Sequence, residues 1–174
     1  LGLRVEVCTT VGRDPFGQTL RTMLTEAGLG TTYVEDADGD TAIAIYLLLF
    51  GGTKRPMTYR LPTFPAWPDP PPVLDGRTPP PDLVHSGGLL HFPDRYHGGL
   101  AATMRAARAA GIRTSIDPQF PLVDEAAPWL RFCADAIGAA DILLCDEGEG
   151  CAIFAVDTVE AVIAAAHDAG PSIV

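Results

Sequence analysis

The 174-residue sequence has a formal net charge of −10 and is 47% hydrophobic, which makes it long enough for one domain with a real core and too apolar for a disordered chain. The negative charge repels phosphate backbones and anionic lipid, no apolar run reaches the roughly 18 residues of a membrane span, and no secretion signal opens the chain. Nucleic acid and membrane are thereby set aside, small molecules and cations are the expected partners, and the cytoplasm is the expected compartment.

In chain order, Arg4 to Thr9 is short and valine-rich and predicts a strand. Phe16 to Ala27 places Phe16, Leu20, Met23 and Leu24 at helical spacing and ends at Gly28, which predicts a helix. Between them "VGRDPFGQTL" reads as a strand-to-helix junction. Its glycines, Gly12 and Gly17, permit unusual backbone angles, and Pro15 directly after Asp14 suits a first helical turn. Thr31 to Val34 is a further strand. Thr41–Phe50 and Pro56–Leu61 flank "GGTKR", which predicts an antiparallel hairpin.

Residues 62–82 hold nine of the sixteen prolines, which deny helix and sheet their donors, so an extended connection is expected there. Beyond it come a strand "LVHSG", a helix near Arg95 to Ala110, a strand "RTSID", a helix near Ala126 to Ile137, a strand "ILLCD" and a helix near Val159 to Ala169. This alternation predicts βαβ units and a parallel sheet with helices on both faces. "LGLRVEVC" opens in the middle of a turn and "GPSIV" stops as a strand begins, as expected of a piece of a longer protein. The four cysteines show no CxxC spacing and read as reduced, buried thiols.

Ligands of open α/β sheets bind beyond the carboxyl ends of the strands. Asp117 closes "RTSID", Asp146 closes "ILLCD", and Glu149 lies one helical turn further on. Oxygen donors of this kind suit magnesium held through waters and phosphates. The same spacing equally fits a helix cap at Asp146 completed by Glu149, and the two roles are compatible. His85, His91 and His97 recur every six residues, a spacing unlike that of zinc ligands, and read as ordinary surface or partly buried histidines. "SGGLL" and "GGTK" lack the full phosphate-loop spacing, and Ser86 lacks a nucleophile elbow. Tyr46, Tyr59 and Phe64 fall in the hairpin region, where strand packing competes with stacking on a sugar.

Taken in order, these segments resemble the PfkB or ribokinase-like family of carbohydrate kinases. "VGRDPFGQTLRTMLTEAGLGTTYV" is similar to the family's G-D-D-x-F-G turn and following helix, and "TAIAIYLLLFGGTKRPMTYR" resembles its antiparallel lid. "GIRTSIDPQ" is similar to the strand ending in Asp-Pro-Asn, "ADILLCDEGEG" to the A-D-x-x-x-x-N-E-x-E segment, and "AGPSIV" to the approach to the nucleotide-binding T-x-G-x-x-G. The resemblance covers nearly all of the chain apart from the proline stretch. It implies a ribokinase-like three-layer αβα fold with a mostly parallel sheet and a small antiparallel β lid at about 41–61.

The implied activity is transfer of the ATP γ-phosphate to a sugar hydroxyl with Mg2+. Asp117, Asp146 and Glu149 would stand on the nucleotide and phosphate side, with Asp146 and Glu149 at the metal. Tyr46, Tyr59, Arg60 and Gly88 would stand on the substrate side, and Gly12, Asp14 and Gly17 would shape the turn. A homodimer through the lid is a further implied partner. The catalytic aspartate of Gly-Ala-Gly-Asp is expected beyond Val174 and the sugar-gripping Gly-Gly-x-x-x-N before Leu1, so the segment by itself is expected to be inactive. Asp146 stands where the family usually has Asn, Gln119 replaces another Asn, and Pro121 stands where an arginine is common. These departures keep a second reading open, a sugar-binding or assembly module without catalysis. The sugar itself stays open among ribose, fructose and sugar acids.

Overall fold

The computed structural model describes residues 2–48, 54–60, 74–88, 94–119 and 129–174. The chain forms two units, Leu1–Pro65 and Ala66–Val174. In the first, the β-branched run "EVCTTVG" forms β1 (Glu6–Gly12), which pairs in parallel with β2 (Gly30–Ala37) across the helix α1 (Pro15–Glu26). β1 runs three residues past the expected Thr9, because the ladder continues through Val11↔Asp36 and Gly12↔Ala37. Asp14 caps α1, its carboxylate accepting the Gly17 N–H at 2.9 Å, and Pro15 occupies the first turn, where a missing N–H costs nothing.

The helix exists where its periodicity puts it, with Leu20 and Leu24 half-buried. Phe16 is 56% and Met23 60% exposed, and Gly17 is the buried residue of α1. The helix therefore meets β1 by backbone approach at Gly17. Arg21 adds a tie to β2, donating to the Val34 carbonyl at 2.8 Å and pairing with Asp36 at 2.6 Å. β3 (Ile43–Leu48) and β4 (Lys54–Arg60) pair antiparallel from Ile43↔Arg60 to Leu48↔Lys54, as the hairpin reading requires.

The second unit carries a parallel sheet in the order β5 (Leu83–Gly87), β6 (Arg113–Asp117), β7 (Ile142–Leu143). α2 (Asp94–Ala109) stands between β5 and β6 in sequence, and α3 (Leu130–Ala139) between β6 and β7. α4 (Glu147–Phe154) and α5 (Val159–Ala169) follow, and Ile173 then bridges in parallel to Ile142. β6 is the buried centre, and Ile116 packs with Met104 of α2, Cys133 and Ile137 of α3, Leu143 and Ile153.

Asp141, the aspartate of the "AD" pair, fixes the end of the sheet opposite the strands' carboxyl termini. Its Oδ2 accepts the Thr114 N–H and hydroxyl at 2.9 and 3.0 Å, and Arg108 pairs with Oδ1 at 2.9 Å. Its carbonyl accepts the N–H groups of Ser172 and Ile173.

Two expectations need correction. "ILLCD" is a strand only at Ile142–Leu143; the Leu144 N–H still reaches the Ile116 carbonyl at 2.8 Å, after which the chain turns away so that Asp146 can cap α4. The cysteines are all free but not all buried: Cys133 is, Cys145 and Cys151 are partly so, and Cys8 is exposed on β1. The proline stretch through residue 73, Phe64, His91, Pro121 and the start of the helix expected from Ala126 lie outside the described residues.

Candidate functional site

At the carboxyl end of the second unit's sheet, a cavity of ≈ 440 Å³ is lined by Asp117, Gln119, Leu143, Leu144, Cys145, Asp146, Glu149 and Val174. Its size lies within the range of about 300–1,000 Å³ common to small-molecule sites. The three carboxylates singled out in the sequence thus share one cavity, and among the described residues that line it there is no Lys, Arg or His. Asp117 arrives as the last residue of β6, Asp146 three residues after β7, and Glu149 in the first turn of α4.

Asp146 and Glu149 hold the helix start as a reciprocal capping box. Asp146 Oδ1 accepts the Glu149 N–H at 2.8 Å, and Glu149 Oε2 accepts the Asp146 N–H at 3.2 Å. The capping role that the sequence left open is therefore filled, by side chains that also line the cavity. The carboxylates also impose a negative field: burial first, then Glu149, Asp146 and Asp117, push the Cys145 thiol above its ordinary pKa. A field that disfavours a thiolate favours a cation. The donor set is oxygen only at its charged positions, which suits a hard divalent ion. Among the described residues no group of three His, Cys, Asp or Glu side chains is arranged to hold a metal. Two carboxylates with water are the arrangement magnesium commonly takes.

The "DPQ" corner forms the cavity's other wall. Asp117 Oδ1 accepts the Gln119 N–H at 3.1 Å, its carbonyl accepts the Gly88 N–H at 2.9 Å, and Pro118 is buried. Gln119 sits at φ 55°, a left-handed conformation that costs a non-glycine residue energy and is commoner for asparagine. Gly88 is buried at φ 76°, where glycine carries no such cost. Sequence reasoning missed Leu143, Leu144, Cys145 and Val174 as lining residues; for Cys145 the available signal was its place directly before Asp146.

Other candidates belong to the first unit. Tyr46, Tyr59 and Arg60 fall on β3 and β4 in the first unit, Tyr46 opposite Pro56 and Arg60 opposite Ile43, and their side chains are outside the described part. Gly12, Asp14 and Gly17 form the β1–α1 corner. Neither glycine there has a left-handed backbone; each is needed for close approach. A Cβ on Gly12 would run into the backbone of Gly39, Asp40 and Thr41, and one on Gly17 into the Gly12 carbonyl and the Thr41 hydroxyl. His85 Nδ1 lies 3.1 Å from Ser115 Oγ, across the β5–β6 ladder.

The sequence model described as pfkB family carbohydrate kinase matches residues 1–174. The chain belongs to the PfkB family of carbohydrate kinases. Among solved structures it is similar to a fructokinase from Vibrio cholerae in fructose, ADP and calcium ion bound form, with 18% identity over 97% of this chain and 55% of that one and a TM-score of 0.77. A fructokinase from Xylella fastidiosa with bound ATP gives 23% identity, 97% and 53% coverage and a TM-score of 0.76. A putative ribokinase II from E. coli, in its apo form, gives 18%, 99%, 57% and 0.73. Likeness at these identities shows a ribokinase-like α/β fold. The PfkB chain spans little more than half the length of each of these structures. Among curated proteins none matches it.

Proposed function

We propose that this PfkB chain supplies the nucleotide side and the lid of an ATP-dependent carbohydrate kinase, which transfers the γ-phosphate to a hydroxyl of a sugar or sugar acid. The observation that carries this reading is the convergence of Asp117, Asp146 and Glu149 on one cavity, in a chain the PfkB family matches from end to end. Phosphoryl transfer depends on positioning and charge neutralisation more than on covalent chemistry, and carboxylates that recruit a cation serve that end.

In this reading Asp146 and Glu149 would hold Mg2+, which when bound would supply charge neutralisation at the phosphates. Asp117 orients the nucleotide's phosphate end from the end of β6, and the Gln119 backbone, fixed by Asp117, sets the wall beside it. The capping box keeps both metal-side carboxylates in place before any ligand arrives, which removes the cost of ordering them on binding. β3 and β4 act as the lid over the sugar, with Tyr46, Tyr59, Arg60 and Gly88 on the substrate side and a homodimer formed through the lid. The protein works in the cytoplasm, without nucleic acid or membrane as partner, and residues 1–174 alone do not turn over substrate.

Measuring ATP consumption in the presence of Mg2+ across ribose, fructose and sugar acids, with the full gene product, tests the proposal; absence of turnover with every sugar overturns it. Asp146 in place of the family's usual Asn favours one rival, a sugar-binding module that has lost catalysis. Calorimetry separates the two, since such a module binds sugar with no dependence on nucleotide or Mg2+.

A further inference from the structure

We infer that Asp14 is a positioning residue that fixes the root of the β3–β4 arm, beyond its service as a helix cap; its consequence for catalysis rests on the lid role proposed above. An N-cap needs one hydrogen bond, and Asp14 makes it through Oδ1 to the Gly17 N–H at 2.9 Å. The same carboxylate also accepts the Thr41 hydroxyl on Oδ1 at 2.7 Å and the Thr41 N–H on Oδ2 at 2.9 Å, 27 residues away in sequence. Thr41 is 7% exposed, and its Oγ1 in turn accepts the Gly12 N–H at 3.0 Å.

One anionic side chain thus joins the end of β1, the start of α1 and the residue two positions before β3. Hydrogen bonds to an ionised acceptor are about twice as strong as neutral ones, and removing one partner leaves buried donors unsatisfied. The backbone of residues 39–41 lies directly on Gly12, with no room for a Cβ, so the root of the arm has little freedom to shift while Thr41 is held. The direction in which β3 leaves the corner follows from these contacts. An arm that closes over a substrate must pivot at such a root, and hinge residues are often remote from the chemistry.

The substitution Asp14→Asn separates the two roles. Asparagine caps a helix as well as aspartate does, so α1 keeps its Gly17 bond, but an amide nitrogen then faces the Thr41 N–H and that contact is lost. Thr41→Val removes the hydroxyl from both its partners, and Thr41→Ser retains it. Hydrogen exchange on the intact protein is expected to quicken about tenfold at amides of residues 43–48 and 54–60 in Asp14→Asn and Thr41→Val, to stay within about twofold across α1, and to match the parent in Thr41→Ser. Unchanged exchange in the arm, or equal loosening of α1, overturns the inference. In turnover assays the same two variants are expected to raise KM for the sugar about tenfold and KM for ATP less than about twofold. Faster exchange beside an unchanged sugar KM overturns the positioning role. If no sugar is turned over at all, the kinase reading fails, while the exchange data still decide whether Asp14 anchors the arm.

Discussion

Asp146 and Glu149 each accept the other's backbone N–H, at 2.8 and 3.2 Å, so two of the three carboxylates that line the cavity also start α4. Helix stability and the proposed metal binding therefore fall on the same side chains, and the choice of substitution must separate them. Glu149→Gln keeps an oxygen acceptor for the cap and removes the charge. Its melting temperature is expected to stay close to that of the parent while Mg2+ affinity, followed by titration calorimetry, falls. Asp146→Ala removes the cap itself and is expected to cost about 1 kcal/mol of stability.

Cys145 provides a second readout of the same field. Glu149, Asp146 and Asp117 all raise its pKa, after burial as the leading cause. Neutralising Glu149 stabilises the thiolate, so the pH profile of Cys145 alkylation is expected to move to lower pH in Glu149→Gln, with faster reaction at any fixed pH below the pKa. An unmoved profile would show that Glu149 does not act on the cavity through its charge.

Gln119 and Ala155 both have φ 55°, the left-handed region that L-residues enter at a cost of roughly 1–2 kcal/mol. Ala155 forms the C-cap of α4, its N–H reaching the Cys151 carbonyl, a position that glycine usually fills. Ala155→Gly is expected to raise stability by about 1 kcal/mol, the relief of strain exceeding the extra entropy glycine brings to the unfolded chain. Gln119→Asn is expected to be stabilising by a smaller margin, since asparagine enters this region more readily. Denaturant midpoints of the two variants against the parent check both.

The fold of the second unit was legible because its signals are local. "LVHSG" and "RTSID" are short and end at turn residues, and they form β5 and β6 with the expected limits. α5 likewise begins after a capping Thr158 and ends before Gly170, within Val159–Ala169 as read. "ILLCD" misled because an apolar run carries no information about where a strand stops pairing. Its end is set by the Asp146 cap and by the Ile142–Ile173 bridge, a contact across 31 positions. The carboxylates of the site were legible from the rule that ligands gather at strand ends. The Asp14–Thr41 contact was not, because nothing in the sequence near Asp14 points 27 residues ahead.

The corner glycines lead to a contrast. Gly12 and Gly17 stand where a side chain would strike backbone, whereas Gly28 has open space around it and φ 74°. Gly17→Ala and Gly12→Ala are expected to destabilise by about 1–3 kcal/mol or more through overpacking, since the obstacles are backbone atoms that cannot swing aside. Gly28→Ala is expected to cost only the left-handed penalty, about 1–2 kcal/mol. Thermal unfolding ranks the three, and hydrogen exchange distinguishes them: the corner variants should also loosen residues 43–48, and the Gly28 variant should not.

Cys133 adds a dependence on alkaline pH. Its thiol is fully buried between Met104, Ile116 and Ile137, donates to the Trp129 carbonyl at 3.3 Å, and is pushed from 9.0 up to about 12, chiefly by burial. Above pH 9 the unfolded chain releases this proton while the folded one retains it. The unfolded state then binds fewer protons, so stability falls as pH rises, by roughly 1.4 kcal/mol for each unit until the folded pKa is reached. Below pH 9 the group contributes no slope. Cys133→Ala, which leaves a small cavity but no titrating thiol, is expected to be less stable at pH 7 and to lose stability less steeply between pH 9 and 11 than the parent. Urea unfolding at a series of pH values compares the two slopes, and parallel curves would mean that the buried thiol ionises without unfolding the chain.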